Sequence, residues 1–246
     1  MNYLEHIGKY FMMLKLVFRK PQRARVFREA LSREIEELGI KSIGIIAFIS
    51  FFIGGVIALQ TALNLNNPLI PKSLIGFAAK RSIILEFAPT FCSIILAGKV
   101  GSYITSSIGT MRVTEQIDAL EVMGINSLNY LVLPKIIATV IFYPFLIILG
   151  MFLGIFGGWL AGTLTGLFSG VDYIEGLQTD FDPYLIQYSM IKTLIFAFII
   201  ATVPSYQGYF VKGGSLEVGK ASTRSVVWTT VLIVICNYLL TQMLLT

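Results

Sequence analysis

Five apolar stretches dominate the hydrophobic pattern of this chain. They cover residues 43–62, 83–104, 131–167, 191–203 and 226–245. A helix needs about 20 predominantly apolar residues to cross the hydrocarbon core of a bilayer, and most of the stretches reach that length. The pattern therefore predicts an all-α, polytopic membrane protein with five transmembrane helices.

The third stretch is long enough to hold two spans. It contains no polar turn and no charged residue between Lys135 and Asp172, so a hairpin there would leave backbone groups without partners in lipid. We predict one long helix, kinked at Pro144. Small residues along it would let a neighbouring helix approach closely: Gly150, Gly154, Gly158 and Gly162.

The N-terminal segment has a different pattern. Apolar residues recur there at steps of three and four, and basic residues lie between or beyond them. The apolar positions are Leu4, Ile7, Phe11, Leu14 and Phe18, and the basic ones are Lys9, Lys15, Arg19 and Lys20. The pattern favours a helix lying in the membrane interface, with an ordinary packed amphipathic helix as the alternative. Residues 1–33 lack the apolar core and cleavage site of a signal peptide.

Composition agrees with a membrane protein. The 246 residues are 55% hydrophobic and 13% charged, and the mean hydropathy is +0.77, far from globular averages. We expect a single domain over residues 1–246, with an interfacial and cytoplasmic segment at 1–40 and a transmembrane region at 41–246.

The positive charge follows the predicted topology and does not indicate nucleic acid binding. Nine Lys and Arg residues lie in residues 1–41, three in 98–135 and three in 212–224, which is fifteen of the nineteen. The positive-inside rule then places the N-terminus in the cytoplasm and the C-terminus outside. The acidic residues of segment 169–187 suit a solvated outer loop.

The chain shows no catalytic machinery of its own. The single histidine, His6, excludes an internal zinc-protease motif and makes a His-based triad improbable. Cys92 and Cys236 lie in apolar stretches and suggest neither a disulfide nor a metal site. Residues 214–221 match the phosphate-binding loop pattern until Ala221, where Ser or Thr is required, and apolar spans flank them. We expect no catalytic residue, metal or cofactor here, so any work must draw on an ion gradient or another subunit.

Polar residues inside the spans are the next candidates, because a charge in lipid costs several kcal/mol and usually marks a pathway or a pair. Glu86 and Lys192 lie near the outer starts of the second and fourth spans, so they share a similar depth. Asn237 falls in the outer half of the fifth span. For Lys192 the alternative is snorkelling to the interface. For Glu86, which Pro89 follows closely, we favour a protein-lined cavity.

The cytoplasmic segment 114–124 predicts a short helix. Thr114 can cap it, Glu115 would lie in its first turn and Gly124 can end it. Apolar positions fall on one side and acidic ones on others. Such a helix can fit a groove on a partner protein. An interfacial loop helix with a solvated acidic face is the alternative, and periodicity alone slightly favours it.

Residues 98–124, continuing to Tyr130-Leu131 and Pro134-Lys135, resemble the MlaE (YrbE) family of lipid ABC-transporter permeases. The run from Gly109 to Gly124, GTMRVTEQIDALEVMG, carries most of the resemblance. Supporting matches extend over most of the chain: residues 54–60, Glu86, Pro89, Lys192, Gly219, Ala221 and Thr223.

The resemblance implies a homodimeric permease with five spans per chain and two cytoplasmic ATPase subunits, which bind the ATP and Mg, in the bacterial inner membrane. It further implies transport of phospholipids or related lipids between inner and outer membranes, with a periplasmic MCE-domain protein. Segment 114–124 resembles the coupling helix that docks in the ATPase. The docking residues would be Glu115, Gln116, Asp118, Leu120, Glu121, Met123 and Gly124. Glu86, Lys192 and Asn237 correspond to polar positions that face the family's lipid cavity.

Some positions depart from the family pattern. Lys99 and Lys135 stand where Arg is usual, and Ser107 where Glu is usual. Leu85 replaces a common Arg and Asn237 a frequent Asp, which weakens any expectation of how a lipid headgroup is held. A channel or gradient-driven carrier that uses Glu86 and Lys192 and needs no ATPase is the alternative from another class.

Overall fold

The computed structural model describes residues 3–18, 24–65, 71–180 and 182–245. Within those ranges the chain is helical apart from short connections and contains no strand. The helices, in chain order, are α1 (Tyr3–Val17), α2 (Arg25–Asn64), α3 (Ser73–Val113), α4 (Gln116–Val122), α5 (Ser127–Thr165), α6 (Gly170–Gln178), α7 (Pro183–Tyr209) and α8 (Ser215–Leu245).

Helices α2, α3, α5, α7 and α8 are long and apolar enough to cross a membrane, which confirms the prediction of five spans. The third apolar stretch is one continuous helix, so it forms no hairpin. The kink at Pro144 stays a prediction. The helices are longer than the apolar stretches, and α2 begins at Arg25 where the stretch begins at residue 43. Helical hydrogen bonding continues into polar flanks that hydropathy does not detect.

Two of the spans contain turns that depart from α-helical geometry. In α2 a π-helical turn at Ile35–Gly39 and a 3₁₀ turn at Ile40–Ser42 precede the regular helix that begins at Ile43. In α3 there are π-helical turns at Ile83–Phe91 and Ala97–Gly101. The first contains Pro89, which has no N–H to donate to an earlier carbonyl. Such π-turns recur at functional sites.

The chain forms two compact units. The first unit comprises Met1–Lys41, Ile94–Tyr143 and Ile195–Leu239, and the second comprises Ser42–Ser93, Pro144–Leu194 and Leu240–Thr246. Each unit therefore draws on three separate stretches of sequence. The expectation of a single domain over the whole chain stays a prediction.

Close helix contacts organise the second unit. A Cβ atom built on Gly54 would lie 1.9 Å from the carbonyl oxygen of Gly154, and one on Gly157 would lie 2.0 Å from that of Phe51. Only glycine permits these backbone approaches. Other glycines of α5 face side chains: Gly150 the Ser50 hydroxyl, Gly158 the Tyr173 hydroxyl and Gly162 the Phe168 ring.

Helix α6 lies in the acidic segment that the sequence suggested was a solvated outer loop. It packs on the start of α3, where a Cβ on Gly76 would lie 2.2 Å from the Tyr173 carbonyl oxygen. The buried Lys80 Nζ donates to the carbonyl oxygens of Leu177, at 3.0 Å, and Thr179, at 2.7 Å. A lysine thus binds the last carbonyls of α6, where a cation is favourable.

In the first unit, α1 presents two different faces. On one, Met13 and Val17 are buried, and the Tyr10 hydroxyl lies 2.7 Å from that of Thr202. On the other, Ile7 and Phe11 are 53% and 65% exposed. The helix therefore packs on the chain through one face and keeps an exposed apolar stripe, the arrangement typical of an interfacial helix.

Candidate functional site

The chain leaves α3 through a sharp turn before α4. Thr114 is the C-cap of α3, because its N–H donates to the carbonyl of Thr110 at 3.0 Å and its hydroxyl donates to the same oxygen at 2.8 Å. Glu115 adopts a left-handed conformation, with φ 59°, and α4 begins at Gln116. The predictions that Thr114 caps α4 and that Glu115 lies in its first turn are therefore wrong.

Gly124 ends α4, as predicted. Its φ is +74°, its N–H donates to the Glu121 carbonyl at 2.9 Å, and the N–H of Ile125 donates to that of Leu120 at 3.0 Å. A left-handed glycine with such reversed bonds is a common helix ending.

A buried apolar side chain and two hydrogen bonds hold α4 against the rest of the first unit. Ile117 is completely buried. Glu121 Oε1 accepts hydrogen bonds from Ser127 Oγ, at 2.9 Å, and from the Tyr209 hydroxyl, at 2.8 Å. These contacts join α4 to the start of α5 and the end of α7.

An ion pair adds a further link to α3. Arg112 Nη1 lies 2.7 Å from Asp118 Oδ1, and the Arg112 guanidinium also lies over the Tyr209 ring, 5.9 Å from its centre. Asp118 therefore contributes to holding α4 in place.

The remaining surface of α4 faces outward. Val122 is 90% exposed and Met123 is 65% exposed. Glu115 and Gln116 are also exposed, while Leu120 is half-buried. The C-terminal tip of α4 is therefore exposed and apolar, beside acidic side chains, while contacts with α3, α5 and α7 hold the rest of the helix in place.

A second candidate site lies in the second unit. The Lys192 side chain is fully buried, and its Nζ lies 2.7 Å from Oε1 of Glu86, whose side chain is 37% exposed. Glu86 and Lys192 therefore lie at a similar depth, as predicted. Snorkelling is excluded for Lys192 because its ammonium is buried and paired. Hydroxyls of Thr90 and Thr241 each donate to the carboxylate at 3.3 Å.

The π-turn of α3 explains a second contact of the lysine. Pro89 cannot donate to the carbonyl of Leu85, one α-helical turn earlier. Lys192 Nζ donates to that oxygen at 3.4 Å. The ammonium also lies 4.4 Å from the centre of the Tyr188 ring. The ammonium therefore has an anionic, a carbonyl and an aromatic partner in a buried setting.

Asn237 lies on α8, half-buried, in the first unit. Sequence reasoning missed Thr90 and Tyr188, although each lies four residues from a member of the pair and so on the same helix face. It also missed Thr241 and Tyr209. These belong to other helices, and no local spacing relates them to the residues that they contact.

The chain is similar to known transporter permeases. The model of the family described as Permease MlaE matches residues 31–243. A probable ABC transporter permease protein of Rickettsia bellii is 33% identical over 239 residues, which cover 97% of this chain and 92% of the relative. The intermembrane phospholipid transport system permease protein MlaE of Haemophilus influenzae is 31% identical, covering 95% and 89%. TRIGALACTOSYLDIACYLGLYCEROL 1 of Arabidopsis thaliana, a chloroplast protein, is 29% identical, covering 85% and 60%.

Proposed function

Since this chain belongs to the MlaE permease family, we propose that it is the membrane-spanning subunit of an ABC transporter that moves phospholipids or related lipids between inner and outer membranes. A separate cytoplasmic ATPase binds ATP and Mg and supplies the energy. Two copies of the chain form the permease in the bacterial inner membrane, N-terminus inside and C-terminus in the periplasm. A periplasmic MCE-domain protein exchanges lipid with it.

The exposed tip of α4 carries this proposal. Val122 and Met123 are large apolar side chains that stand in solvent at the end of a helix whose base is fixed. A short amphipathic helix of this kind fits a hydrophobic groove on a partner. Because Glu121 and Asp118 tie α4 to α3, α5 and α7, a displacement of the helix is transmitted to three spans.

The Glu86–Lys192 pair suits the lipid pathway in this proposal. The carboxylate is partly exposed while the ammonium is buried, so Glu86 presents polar atoms and Lys192 fixes their position. Ionisable residues within spans usually line pathways. Following the family resemblance, we propose Asn237 as a further polar position that faces a lipid cavity.

Reconstitution with the ATPase tests the docking role of α4. Val122→Arg adds charge at a position that is 90% exposed, so the fold is retained. We expect it to reduce ATPase association and lipid transfer by about tenfold or more, since a charge is costly in an apolar groove. Val171→Arg, at a 75% exposed position of α6, is the matched control and should leave both unchanged. Unchanged association and transfer in Val122→Arg would exclude α4 as the docking element.

The buried pair also favours one alternative function, a channel or gradient-driven carrier that works alone. Charge pairs within spans also occur in proton and ion pathways. Purified chain in liposomes distinguishes the two functions. Transport that needs both the ATPase and ATP supports the permease, whereas transport by the chain alone, driven by an ion gradient, supports the carrier.

A further inference from the structure

A cavity of about 270 Å³ lies within the first unit, between α1, the end of α7 and the start of α8. Four cationic side chains line it: Lys9, Lys212, Lys220 and Arg224. Among the described residues, one carboxylate, that of Glu217, is part of the lining. The cavity is therefore strongly cationic, although neither candidate site described above includes it.

Two of the four cations have carboxylate partners. Lys9 Nζ lies 2.6 Å from Glu5 Oε1, and Lys220 Nζ lies 2.7 Å from Glu217 Oε1. Lys212 and Arg224 are exposed, and no ion pair joins either to a carboxylate within residues 3–18, 24–65, 71–180 and 182–245. Within these ranges, two positive charges at the cavity are therefore available to an anionic ligand.

The positive charge at the cavity affects the neighbouring acid, Glu5. The pKa of the Glu5 carboxyl is lowered, chiefly by the hydrogen bond and charge of Lys9, with smaller contributions in the same direction from His6 and Lys212. Lys212, one of the cavity cations, therefore contributes to stabilising an anion beside the cavity.

Apart from Gln207, the rest of the lining is apolar or aromatic. Tyr206, Val211 and Ala221 are each less than a tenth exposed. The Tyr206 hydroxyl lies 2.7 Å from His6 Nδ1, and this bond connects α1 to α7 beside the cavity. Cations and an apolar wall together suit an amphiphilic anion better than a small hydrated ion.

The position of the cavity relates it to the membrane surface. Lys9 lies on α1, whose exposed stripe includes Ile7 and Phe11. An interfacial helix buries such a stripe about 5–10 Å into the boundary between headgroups and acyl chains, which leaves its basic residues at the level of the phosphates. On α8, Arg224 lies two residues before the apolar stretch that begins at residue 226.

We propose that this cavity binds the anionic phosphate headgroup of a membrane lipid, with Lys212 and Arg224 as its principal contacts. The volume is slightly below the roughly 300–1,000 Å³ of typical ligand pockets. It therefore accommodates a headgroup while the acyl chains remain in the bilayer beside α1. The site is separate from the Glu86–Lys192 pair and holds whether or not the chain works with an ATPase.

Hydrogen–deuterium exchange of the full chain in nanodiscs tests the proposal. In phosphatidylglycerol nanodiscs, we expect backbone amides of residues 3–18 and 210–217 to exchange about fivefold more slowly than in phosphatidylcholine nanodiscs, because each cation near an anionic surface adds attraction. Lys212→Gln with Arg224→Gln should remove this difference. Arg28→Gln with Lys72→Gln removes the same charge from exposed positions outside both the cavity and α1 and should preserve it.

The other arms separate the possible ligands. Equal exchange of the unaltered chain in the two lipids would overturn the proposal, as would an equal loss in both double variants. If glycerol phosphate in phosphatidylcholine nanodiscs protects as well as phosphatidylglycerol does, the ligand is a soluble phosphate and the lipid assignment is wrong. Protection that appears only with added ATPase, and equally in both lipids, would instead identify a protein contact.

Discussion

Removal of either member of the Glu86–Lys192 pair should have unequal effects on stability. Glu86→Gln leaves the ammonium of a fully buried Lys192 without its counter-charge. Removing one partner of a buried pair costs about 3–5 kcal/mol, and because Glu86 is 37% exposed, the lower value of about 3 kcal/mol applies. Lys192→Met leaves a carboxylate that two threonine hydroxyls still contact, so we expect about 1–2 kcal/mol.

The double variant should lose less than the two single losses combined, because it leaves no unpaired buried charge. We expect a coupling free energy of about 2–3 kcal/mol. At about 2–4 °C per kcal/mol, Glu86→Gln should lower the Tm by roughly 6–12 °C. The exposed pair Glu217–Lys220 is the matched control, with an expected coupling of about 0–1 kcal/mol.

The chain contains a suitable reporter for this cycle. Cys92 is 3% exposed, so a thiol-reactive dye labels it only on unfolding. Cys236 is less buried and is best replaced with serine in the background chain. Thermal unfolding in detergent then gives the Tm of each variant. Single losses that add to within about 0.5 kcal/mol would show that the two charges do not stabilise one another, contrary to this reasoning.

Three further predictions concern the backbone. Gly54→Ala should destabilise the chain by about 1–3 kcal/mol, since the added Cβ would meet a carbonyl oxygen 1.9 Å away. Gly44→Ala is the control and should leave the stability unchanged, because no described atom lies within 4 Å of its added Cβ. Thermal unfolding compares the two variants. Glu115→Gly should stabilise the turn before α4 by about 1 kcal/mol by relieving a left-handed conformation, and slower amide exchange in α4 would record it. Lys80→Met should speed exchange in α6, while Lys72→Met should leave it unchanged.

Sequence pattern was sufficient for the spans and insufficient for the turns between them. Five helices follow from the length and hydropathy of the apolar stretches, properties that each stretch carries by itself. The start of α4 cannot be predicted in this way. Thr114 has a side chain suited to an N-cap of α4, yet it forms the C-cap of α3. Which of two adjacent helices takes such a residue depends on contacts such as Arg112 with Asp118, and these form only in the folded chain.

The candidate sites show the same division. Glu86 and Lys192 were recognisable because charges are rare within spans. Topology predicted only a similar depth for the two residues. Their pairing, and the contact with the Thr241 hydroxyl, depend on how the helices are rotated about their axes, which no local pattern gives. Helix α6 was missed because it is only nine residues long and its two acidic residues, Asp172 and Glu175, were interpreted as part of a solvated loop. Its buried side consists of few positions, among them Tyr173 and Gly176.

The π-turns of α3 alter how substitutions along that helix must be compared. Each wide turn holds about one residue more than an α-helical turn, so the angular phase of the helical wheel slips at Ile83–Phe91 and again at Ala97–Gly101. A cysteine-accessibility scan that fits a single period to Ser73–Val113 would therefore assign positions beyond the slip to the wrong side. The three regular segments of α3 each need their own phase before lipid-facing and protein-facing positions are compared.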